Sequence, residues 1–202
     1  MPTQAANRRT PVQDRSSETV NAILDAASAL LERMPIGQIT TSRIAAEAGV
    51  SIGGLYRFYA DKQQIFDAVA LRGLETFRQE LGGLLNPAKL FFKRRNPIDA
   101  VLDGYVNFLE RHPAFRTLAL GRHISGQTRA SQVHPDLGPA SILKDHLIRH
   151  FHLKPGPALD LKLRISAEVG DRLIAYAFEQ PDRRSRDQVI GELKRLLNQY
   201  LR

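Results

Sequence analysis

The sequence predicts an all-α protein, with a small N-terminal helix-turn-helix domain of three helices followed by a larger helical domain. Three observations favour this fold class. Apolar residues recur every three or four positions through most of the 202 residues, and no run alternates convincingly as a strand would. Proline and glycine fall between these periodic stretches. Between Thr41 and Lys62, two short helical stretches flank a turn at Gly49, which is typical of a helix-turn-helix unit.

The first helix is expected to begin near Ser16 or Ser17 and to brace the two helices that follow. Seven apolar residues recur at helical spacing and form one broad face, namely Val20, Ile23, Leu24, Ala27, Leu30, Leu31 and Met34. Pro35 and Gly37 then interrupt the pattern and end the helix. We expect Ile39 to fill the core before the next helix begins.

The second and third helices carry their own start and stop signals. Thr40 or Thr41 can accept a hydrogen bond from an unpaired backbone N–H group, so the second helix is expected to begin there. Gly49 ends it, because a residue just past a helix end commonly needs a positive φ. Ser51 then caps the third helix, and Leu55 is expected to anchor that helix in the core. This arrangement is typical of proteins that insert a helix into the major groove of DNA.

Two glycines, Gly53 and Gly54, fall in the first turns of the third helix, where each costs about 1 kcal/mol relative to alanine. One explanation is that the missing side chains let the backbone approach DNA closely. The other is that they accommodate a tight contact between helices. The surrounding helix-turn-helix pattern favours the first explanation.

A rim of phosphate-binding residues is predicted beside these glycines. Tyr56 and Tyr59 present hydroxyl groups, which commonly donate to phosphate oxygens. Asp61 is expected to cap a fourth helix, with Gln64 completing a capping box. Lys62 falls in the first turn of that helix, where the helix dipole also favours an anion.

The segment from Ile44 to Lys62 resembles the signature of TetR-type transcriptional regulators. The matching run is Ile44-Ala-x-x-Ala48-Gly49-Val50-Ser51-x-Gly53-x-Leu55-Tyr56, followed by Phe58-Tyr59-x-x-Lys62. The resemblance covers residues 17 to 66. It implies that one group of residues lies near bases or the groove wall, namely Thr41, Ser42, Ile52, Gly53 and Arg57. It also implies that Tyr56 and Lys62 bind phosphates, and Gly54 and Tyr59 complete the candidate DNA-binding site.

One pair departs from the family pattern. Members often have His or Tyr followed by Phe where this chain has Phe58 followed by Tyr59. We expect Phe58 to pack inward rather than to contact DNA.

The sequence predicts a flexible basic arm over residues 1–16, the DNA-binding domain over 17–62 and a regulatory and dimerisation domain over 63–202. The fourth helix should connect the two domains, running from Asp61 to about Leu81. Further helices are expected over Pro97 to His112, Ala114 to His123, Ala140 to Leu153, Leu159 to Phe178 and Val189 to Leu201. Residues 126–139 are expected to form a loop, because Pro135, Gly138 and Pro139 are helix breakers. The basic cluster Lys93 to Arg95 is expected to be a solvated loop, with a DNA or anion contact as the alternative.

The last two predicted helices indicate a homodimer. The helix from Leu159 to Phe178 is apolar on more than one face, so it needs two packing partners. We expect one side to pack within its own domain and the other on a second subunit; the alternative is a monomer with this helix fully internal. The family resemblance likewise implies a homodimer through a four-helix bundle. Two DNA-binding domains would then address a palindromic operator in double-stranded DNA.

The larger domain is also the candidate binding site for an unknown small hydrophobic effector. Its candidate residues are Phe77, Tyr105, Phe108, Phe115, Phe151, Ile174 and Phe178, although residues of this kind more often form ordinary core. An effector that prefers a form with wrongly spaced DNA-binding domains would shift the population away from DNA, through the fourth helix. The hypothesis is therefore a ligand-responsive regulator, most simply a repressor. The alternative is a constitutive DNA-binding or architectural protein whose larger domain only dimerises.

Composition argues against several other classes. The chain has no cysteine, so it forms no disulfide and has no thiolate nucleophile. His146 and His150 share a helix face, but no acidic residue falls on that face and the chain has no cysteine, so we expect no metal site. The motifs of serine hydrolases, P-loop nucleotide-binding proteins and zinc peptidases are absent. We therefore expect neither an enzyme nor a cofactor.

Charge and hydropathy add little to the DNA-binding argument. The net charge is +8, but residues 1–62 carry seven basic and six acidic side chains. Arg8, Arg9 and Arg15 on the N-terminal arm could follow a DNA groove or simply form a solvated tail. No run of about 18 uncharged apolar residues occurs, and the N-terminus lacks a hydrophobic signal core. We expect a cytoplasmic protein with no membrane partner.

Overall fold

A computed structural model describes residues 11–86, 88, 90, 96–133, 138–151 and 153–201. Over these residues the ordered elements are helices and no strand occurs, which confirms the predicted all-α fold. None of the described helices is long and apolar enough to cross a membrane. The chain divides into two compact units, Met1–Val69 and Ala70–Arg202. The predicted arm up to residue 10 and the basic cluster Lys93 to Arg95 lie outside the described residues.

From residue 11 onward, the first unit contains three helices, one 3-10 turn and the start of a fourth helix. These are α1 (Pro11–Arg33), the 3-10 turn Ile36–Gln38, α2 (Thr41–Glu47), α3 (Ile52–Tyr56) and the beginning of α4 (Lys62–Leu84). Helix α1 packs on α2, and α2 packs on α3. Six described residues of this unit have no exposed surface, namely Ile23, Ala27, Ile39, Ile44, Leu55 and Ile65. The predicted roles of Ile39 and Leu55 as core residues are therefore confirmed.

Helix α1 begins earlier than expected. The structure places its first residue at Pro11 rather than near Ser16 or Ser17, so the flexible arm predicted over 1–16 is wrong for residues 11–16. Proline is well suited to the first turn of a helix, where its missing N–H group has no partner to lose. The sequence interpretation placed the start at the serines, which instead lie inside the helix.

The caps of α2 and α3 are those that the sequence predicts. The Thr40 hydroxyl accepts a hydrogen bond from the Arg43 backbone N–H at 3.2 Å, and Ser51 Oγ accepts one from Gly54 N–H at 3.0 Å. Gly49, between the two helices, has a φ of 66°, the left-handed conformation that glycine adopts without steric cost. The turn between α2 and α3 is therefore fixed by local interactions.

Helix α4 is also capped, with one difference from a standard capping box. Asp61 Oδ1 accepts a hydrogen bond from Gln64 N–H at 2.8 Å, as expected for an N-cap. The Gln64 side chain returns to the N–H of Ala60 at 2.9 Å, one residue before the cap. The start of α4, and with it Lys62, is held by two hydrogen bonds.

In the part of the second unit that the structure describes, the rest of α4 is followed by six helices of eight or more residues. These are α5 (Pro97–Arg111), α6 (Pro113–Leu120), α7 (Gly126–Val133), α8 (Gly138–Phe151), α9 (Pro157–Phe178) and α10 (Arg183–Tyr200). Helix α9 packs along α10, and α10 also packs on α5. One continuous apolar core joins them, and its most deeply buried members include Leu81, Phe108, Leu109, Ile174 and Leu193.

Two sequence expectations about the second unit are wrong. Part of the predicted loop over 126–139 is the helix α7, which forms because Ser125 caps its first turn and Thr128 is buried. The breakers that suggested a loop all follow the end of α7. Helix α10 begins at Arg183, ahead of the predicted Val189, because Asp182 Oδ1 accepts a hydrogen bond from Ser185 N–H at 2.8 Å.

Two of the three glycines of helix α4, Gly73 and Gly82, have opposite surroundings. A Cβ atom added at Gly73 would lie 2.5 Å from Phe115 Cδ2 and 2.9 Å from Phe115 Cγ. The Phe115 ring is itself buried and cannot easily move away. A Cβ atom at Gly82 would have no neighbour within 4 Å. Gly73 is therefore required by packing, whereas Gly82 is not.

This contrast predicts opposite effects of the same substitution. We expect Gly73→Ala to lower the free energy of unfolding by about 1–3 kcal/mol, because the added methyl group overpacks the Phe115 ring. Gly82→Ala should instead raise it by about 0.5–1 kcal/mol, because alanine is the better helix former. Denaturant unfolding of the two variants and the unaltered protein measures both effects. Equal effects of the two substitutions would contradict the packing described for Gly73.

Candidate DNA-binding surface and effector cavity

Helix α3 buries one side and exposes the other. Leu55 has no exposed surface, whereas Ile52 is 42% and Tyr56 is 50% exposed. Gly53, which follows Ile52, and Arg57, which follows Tyr56, are exposed as well. Positions four apart lie on one side of a helix, so these four residues form one patch. We call Ile52, Gly53, Tyr56 and Arg57 the α3 face.

The two glycines of α3 have different explanations. A Cβ atom at Gly54 would lie 3.0 Å from the Ser51 hydroxyl oxygen, which caps the helix, so Gly54 leaves room for that cap. A Cβ atom at Gly53 would have no neighbour within 4 Å. Neither glycine accommodates a contact with another helix of the described chain, and that explanation is wrong. Gly53 therefore has no packing explanation among the described residues.

A hydrogen bond joins the start of α2 to the end of α3. The hydroxyl oxygens of Thr41 and Tyr56 lie 3.0 Å apart, and either group can be the donor. This contact restrains the Tyr56 ring while leaving half of its surface exposed. Ser42, the next residue of α2, is exposed. The candidate residues of α2 are thus linked directly to the α3 face.

Lys62 makes contacts that the sequence does not reveal. Its ammonium group donates a hydrogen bond to the backbone carbonyl of Ile39 at 2.9 Å, and its Nζ atom lies 5.5 Å from the centroid of the Phe66 ring. An ammonium group has three N–H donors, so the bond to Ile39 leaves others for a phosphate. Tyr59, like Lys62, is half-buried. The contact holds the candidate phosphate-binding group in a fixed place.

Two arginines of the first unit, Arg57 of the α3 face and Arg43 of α2, are held by contacts within the chain. The guanidinium carbon of Arg57 lies 5.0 Å from the centroid of the Phe58 ring, a cation–π distance, and Phe58 is half-buried rather than fully packed inward. The Arg43 guanidinium donates to the backbone carbonyl of Gln38 at 3.0 Å. Both side chains are exposed and restrained, so each can present positive charge to a phosphate without losing much conformational freedom.

The second unit contains a cavity of about 160 Å³ lined by residues of α4, α5, α8, α9 and α10 and by Leu201. Its walls are mainly aliphatic. Three side chains with polar groups interrupt them, and these are Tyr105, Ser166 and Asp171. A largely apolar cavity with a few polar groups is the usual form of a small-molecule site.

The predicted effector residues divide into two groups. Phe77, Tyr105 and Ile174 line the cavity. Phe108 and Phe115 do not, because both are buried in the core, where their ring centroids lie 5.5 Å apart.

The two remaining candidates do not add to the described cavity. Phe178 lies apart from it, with the guanidinium carbons of Arg116 and Arg186 at 5.4 Å and 5.3 Å from its ring centroid. The side chain of Phe151 lies outside the described residues.

The sequence does not predict the polar groups of Ser166 and Asp171 in the cavity lining. The buried Ser166 hydroxyl has no hydrogen-bond partner among the described residues. Burial raises the pKa of the Asp171 carboxyl to about 6, although the charges of Arg129 and Arg122 oppose the shift. Burial, together with the nearby Asp171, also raises the pKa of the Tyr105 hydroxyl. Ser166 lies in the inward stripe of α9, and that periodicity could have revealed it.

The histidines that the structure describes do not belong to a metal-binding group. His146 is buried on α8, and the side chain of His150 lies outside the described residues, as do His134 and His152. Where the chain is described, no group of three or more histidine, aspartate or glutamate side chains is arranged to hold a metal ion.

Helix α9 is apolar on two sides. Its inward side packs into the core through residues such as Leu163 and Ile174. On the opposite side, Leu161 is 52% exposed, and Ile165 and Tyr176 are also exposed. Leu196 of α10 is a further exposed apolar residue. We call Leu161, Ile165, Tyr176 and Leu196 the outer face of α9 and α10.

Two family profiles match the chain. One, described as bacterial regulatory proteins of the tetR family, matches residues 23–69, which contain α2, α3 and the first turns of α4. The other, described as the tetracyclin repressor-like C-terminal domain, matches residues 94–202. The second profile alone spans more than half of the chain.

Curated relatives include two proteins named nucleoid occlusion factor SlmA. The one from Idiomarina loihiensis is 30% identical over 105 residues, which cover 52% of this chain and 52% of the relative. The one from Shewanella oneidensis is 26% identical over 157 residues, or 77% of each chain. This chain thus spans about half the length of the first relative and about three quarters of the second.

Solved structures share the fold over nearly the whole chain. A TetR-family transcriptional regulator from Streptomyces coelicolor has a TM-score of 0.69 and 28% identity, covering 93% of this chain and 97% of that chain. A TetR transcriptional regulator from Rhodococcus sp. RHA1 has a TM-score of 0.60 at 18% identity, with the same coverage. The second likeness concerns the fold alone.

Proposed function

We propose that this chain, which belongs to the TetR family of bacterial transcriptional regulators, is a ligand-responsive repressor that binds a palindromic DNA operator as a homodimer. Regulators of this family bind double-stranded DNA and act as dimers, and they are not enzymes. One observation supports the site of DNA binding more than any other. Gly53 stands on an exposed helix face with open space where a side chain would be.

The α3 face fits the chemistry of a DNA groove. Without a side chain at Gly53, the helix backbone can come close to a base edge or to the groove wall. Ile52 offers an apolar surface that suits the methyl group of thymine, and Arg57 offers N–H donors for base or phosphate oxygens. We assign Thr41, Ser42 and Gly54 to the same contact surface.

Phosphate contacts are expected from Tyr56 of this face and from Lys62 and Tyr59, which follow it in the sequence. The Tyr56 hydroxyl, held by Thr41, can donate to a phosphate oxygen, and Lys62 can offer the N–H groups that Ile39 does not use. Tyr59 is the third candidate. Such contacts fix the register of the protein on the duplex, whereas contacts from Ile52 and Arg57 would distinguish sequences.

We propose that the outer face of α9 and α10 is the dimer interface. Exposed leucine and isoleucine side chains on two packed helices lose contact with water when a second copy covers them, which favours association. The two α3 faces of the dimer would then bind half-sites whose centres are about one helical turn of DNA apart, or a multiple of it.

The cavity of the second unit is the proposed effector site. Such an effector would bind more tightly to a form of the dimer whose DNA-binding units are wrongly spaced. It would lower DNA affinity by at most the ratio of its affinities for that form and for the DNA-binding form. Helix α4 supplies Phe77 to the cavity lining and carries Lys62 at its first residue, so it is the proposed connection.

A second candidate function is a DNA-binding factor whose larger domain only dimerises. The name nucleoid occlusion factor, carried by curated relatives at 26% and 30% identity, favours this candidate, because it does not mention a repressor. The two functions differ in one measurable respect. DNA affinity depends on a bound small molecule only in the first.

Replacing Gly53 with alanine separates DNA binding from stability. We expect Gly53→Ala to leave the free energy of unfolding unchanged or to raise it by up to about 1 kcal/mol, because the added methyl group meets nothing in the chain. We expect its affinity for a selected operator to fall roughly tenfold, because the methyl group keeps the helix away from the groove. Fluorescence anisotropy and denaturant unfolding give the two quantities.

Gly82→Ala is the matched control, since it adds the same methyl group at an open helical position of the second unit. Its operator affinity should equal that of the unaltered protein. Unchanged DNA affinity in Gly53→Ala would contradict the proposed contact between the α3 face and DNA.

A charge on the outer face of α9 tests the dimer interface. We expect Leu161→Glu to be mainly monomeric at low micromolar concentration, because the dimer would bury two like charges among apolar side chains. Leu71→Glu is the control, since Leu71 is 47% exposed on α4, and it should remain dimeric. Sedimentation velocity distinguishes the species. A Leu161→Glu dimer, or an unaltered protein that is only monomeric, would contradict the assignment.

A further inference from the structure

We propose that the cavity of the second unit binds a protonated amine carried on a small apolar body, with the Asp171 carboxylate as the partner of the ammonium group. This inference rests on the proposed function, because it names the chemical class of the effector. It depends on three features of the cavity, which are its charge, its unsatisfied hydrogen-bonding group and its size.

The charge at the cavity is negative. Among the described residues that line it, Asp171 is the only one with a carboxyl group, and none is basic. No ion pair to Asp171 occurs among the described residues, and the charges of Arg129 and Arg122 act on it from a distance, as does that of Glu168. A half-buried carboxylate without an ion-pair partner is less stable than one in water, so a ligand cation would gain more here than in water.

The hydrogen-bonding groups of the lining match an ammonium group. Ser166 is 8% exposed, and its hydroxyl oxygen has no hydrogen-bond partner in the described chain. The Asp171 carboxylate, the Ser166 hydroxyl and the Tyr105 hydroxyl can all accept hydrogen bonds, and an ammonium group has three N–H donors. A ligand carboxylate would instead bring a second negative charge towards Asp171.

Small residues leave room for the ligand beside these groups. Ala167 and Gly170 lie between Ser166 and Asp171 on α9, and both line the cavity. A Cβ atom at Gly170 would have no neighbour within 4 Å. The space next to the polar groups is therefore open rather than filled by a side chain.

The volume limits the apolar part of the ligand. The cavity measures about 160 Å³, and an engineered apolar cavity of about 150 Å³ in another protein binds benzene. The ligand body is thus about the size of one six-membered ring, or an alkyl chain of similar volume. Leu74, Phe77 and Leu197 are among the apolar residues that would surround it.

Three compounds of one shape test the chemical class. Benzylammonium, benzyl alcohol and benzoate share a ring and differ in charge, and their binding to the full-length protein at pH 7.5 can be measured by calorimetry. We expect benzylammonium to bind at least about tenfold more tightly than benzyl alcohol, because hydrogen bonds to charged groups are stronger than neutral ones. Benzoate should bind most weakly. Equal or tighter binding of benzyl alcohol or benzoate, or no binding of benzylammonium, would overturn the proposal.

Two further measurements test the role of Asp171. Asp171→Asn should abolish the advantage of benzylammonium over benzyl alcohol, whereas Asp145→Asn, at an exposed carboxyl on α8, should keep it. In the unaltered protein, benzylammonium should bind several-fold more weakly at pH 5 than at pH 7.5, because Asp171, with a pKa of about 6, becomes protonated. Benzyl alcohol should show no such change. If Asp171→Asn does not fold, the pH comparison alone tests the role of Asp171. The proposal is overturned if benzylammonium keeps its advantage over benzyl alcohol in Asp171→Asn and at pH 5.

DNA binding measured in parallel separates this proposal from the proposed function. If benzylammonium binds with the expected preference but leaves operator affinity unchanged, the amine site is supported and the ligand-responsive function is contradicted. If benzyl alcohol binds as well as benzylammonium and both release DNA, the ligand-responsive function is supported and the amine class is overturned.

Discussion

The burial of Leu55 holds the DNA-binding surface together. Helix α3 contains only five residues, and a helix of that length is not stable alone because it forms too few hydrogen bonds. It persists here because Leu55 is fully buried and because Ser51 and Gly49 fix its start and the turn before it. The side opposite Leu55 is consequently presented to solvent in a fixed orientation, and the proposed contact with DNA depends on that orientation.

The second unit uses the same principle on a larger scale. Helix α9 buries one side in the core and exposes Leu161 and Ile165 on the other, so a single element serves both the folding of one chain and the proposed pairing of two. Its inward side also carries Ser166 and borders the cavity. Occupancy of the cavity therefore bears directly on the helix that would set the geometry of the dimer.

Local signals made the first unit predictable. Thr40, Gly49, Ser51 and Asp61 each act within four residues of their own position, so the helix boundaries around the α3 face follow from the sequence. The bond from Lys62 to Ile39 spans 23 residues and could not be read in that way. In the second unit, the sequence predicts a loop over α7 because three helix breakers, Pro135, Gly138 and Pro139, follow closely behind it. The start of α1 at Pro11 is not predicted either, because Ser16 and Ser17 resemble N-cap residues but lie inside the helix.

The polar lining of the cavity shows another limit of sequence reasoning. Aromatic or aliphatic character is the sequence signal for ligand residues, and it does not distinguish core residues such as Phe108 from lining residues such as Phe77. Asp171 was overlooked because an acidic residue on a long amphipathic helix is usually solvated. Asp171 lies at the cavity because residues of α5 and α9 line the same space, which is a property of the tertiary fold.

The most direct test of this account is the position of Ile52 in a complex with DNA. The chain contains no cysteine, so Ile52→Cys introduces a unique thiol on the α3 face. Disulfide crosslinking to a selected operator that carries a thiol tether on a major-groove base should give a covalent complex in high yield, whereas Leu71→Cys or a minor-groove tether should not. Efficient crosslinking of Leu71→Cys, or none of Ile52→Cys on an operator that it still binds, would contradict the insertion of α3 into the major groove.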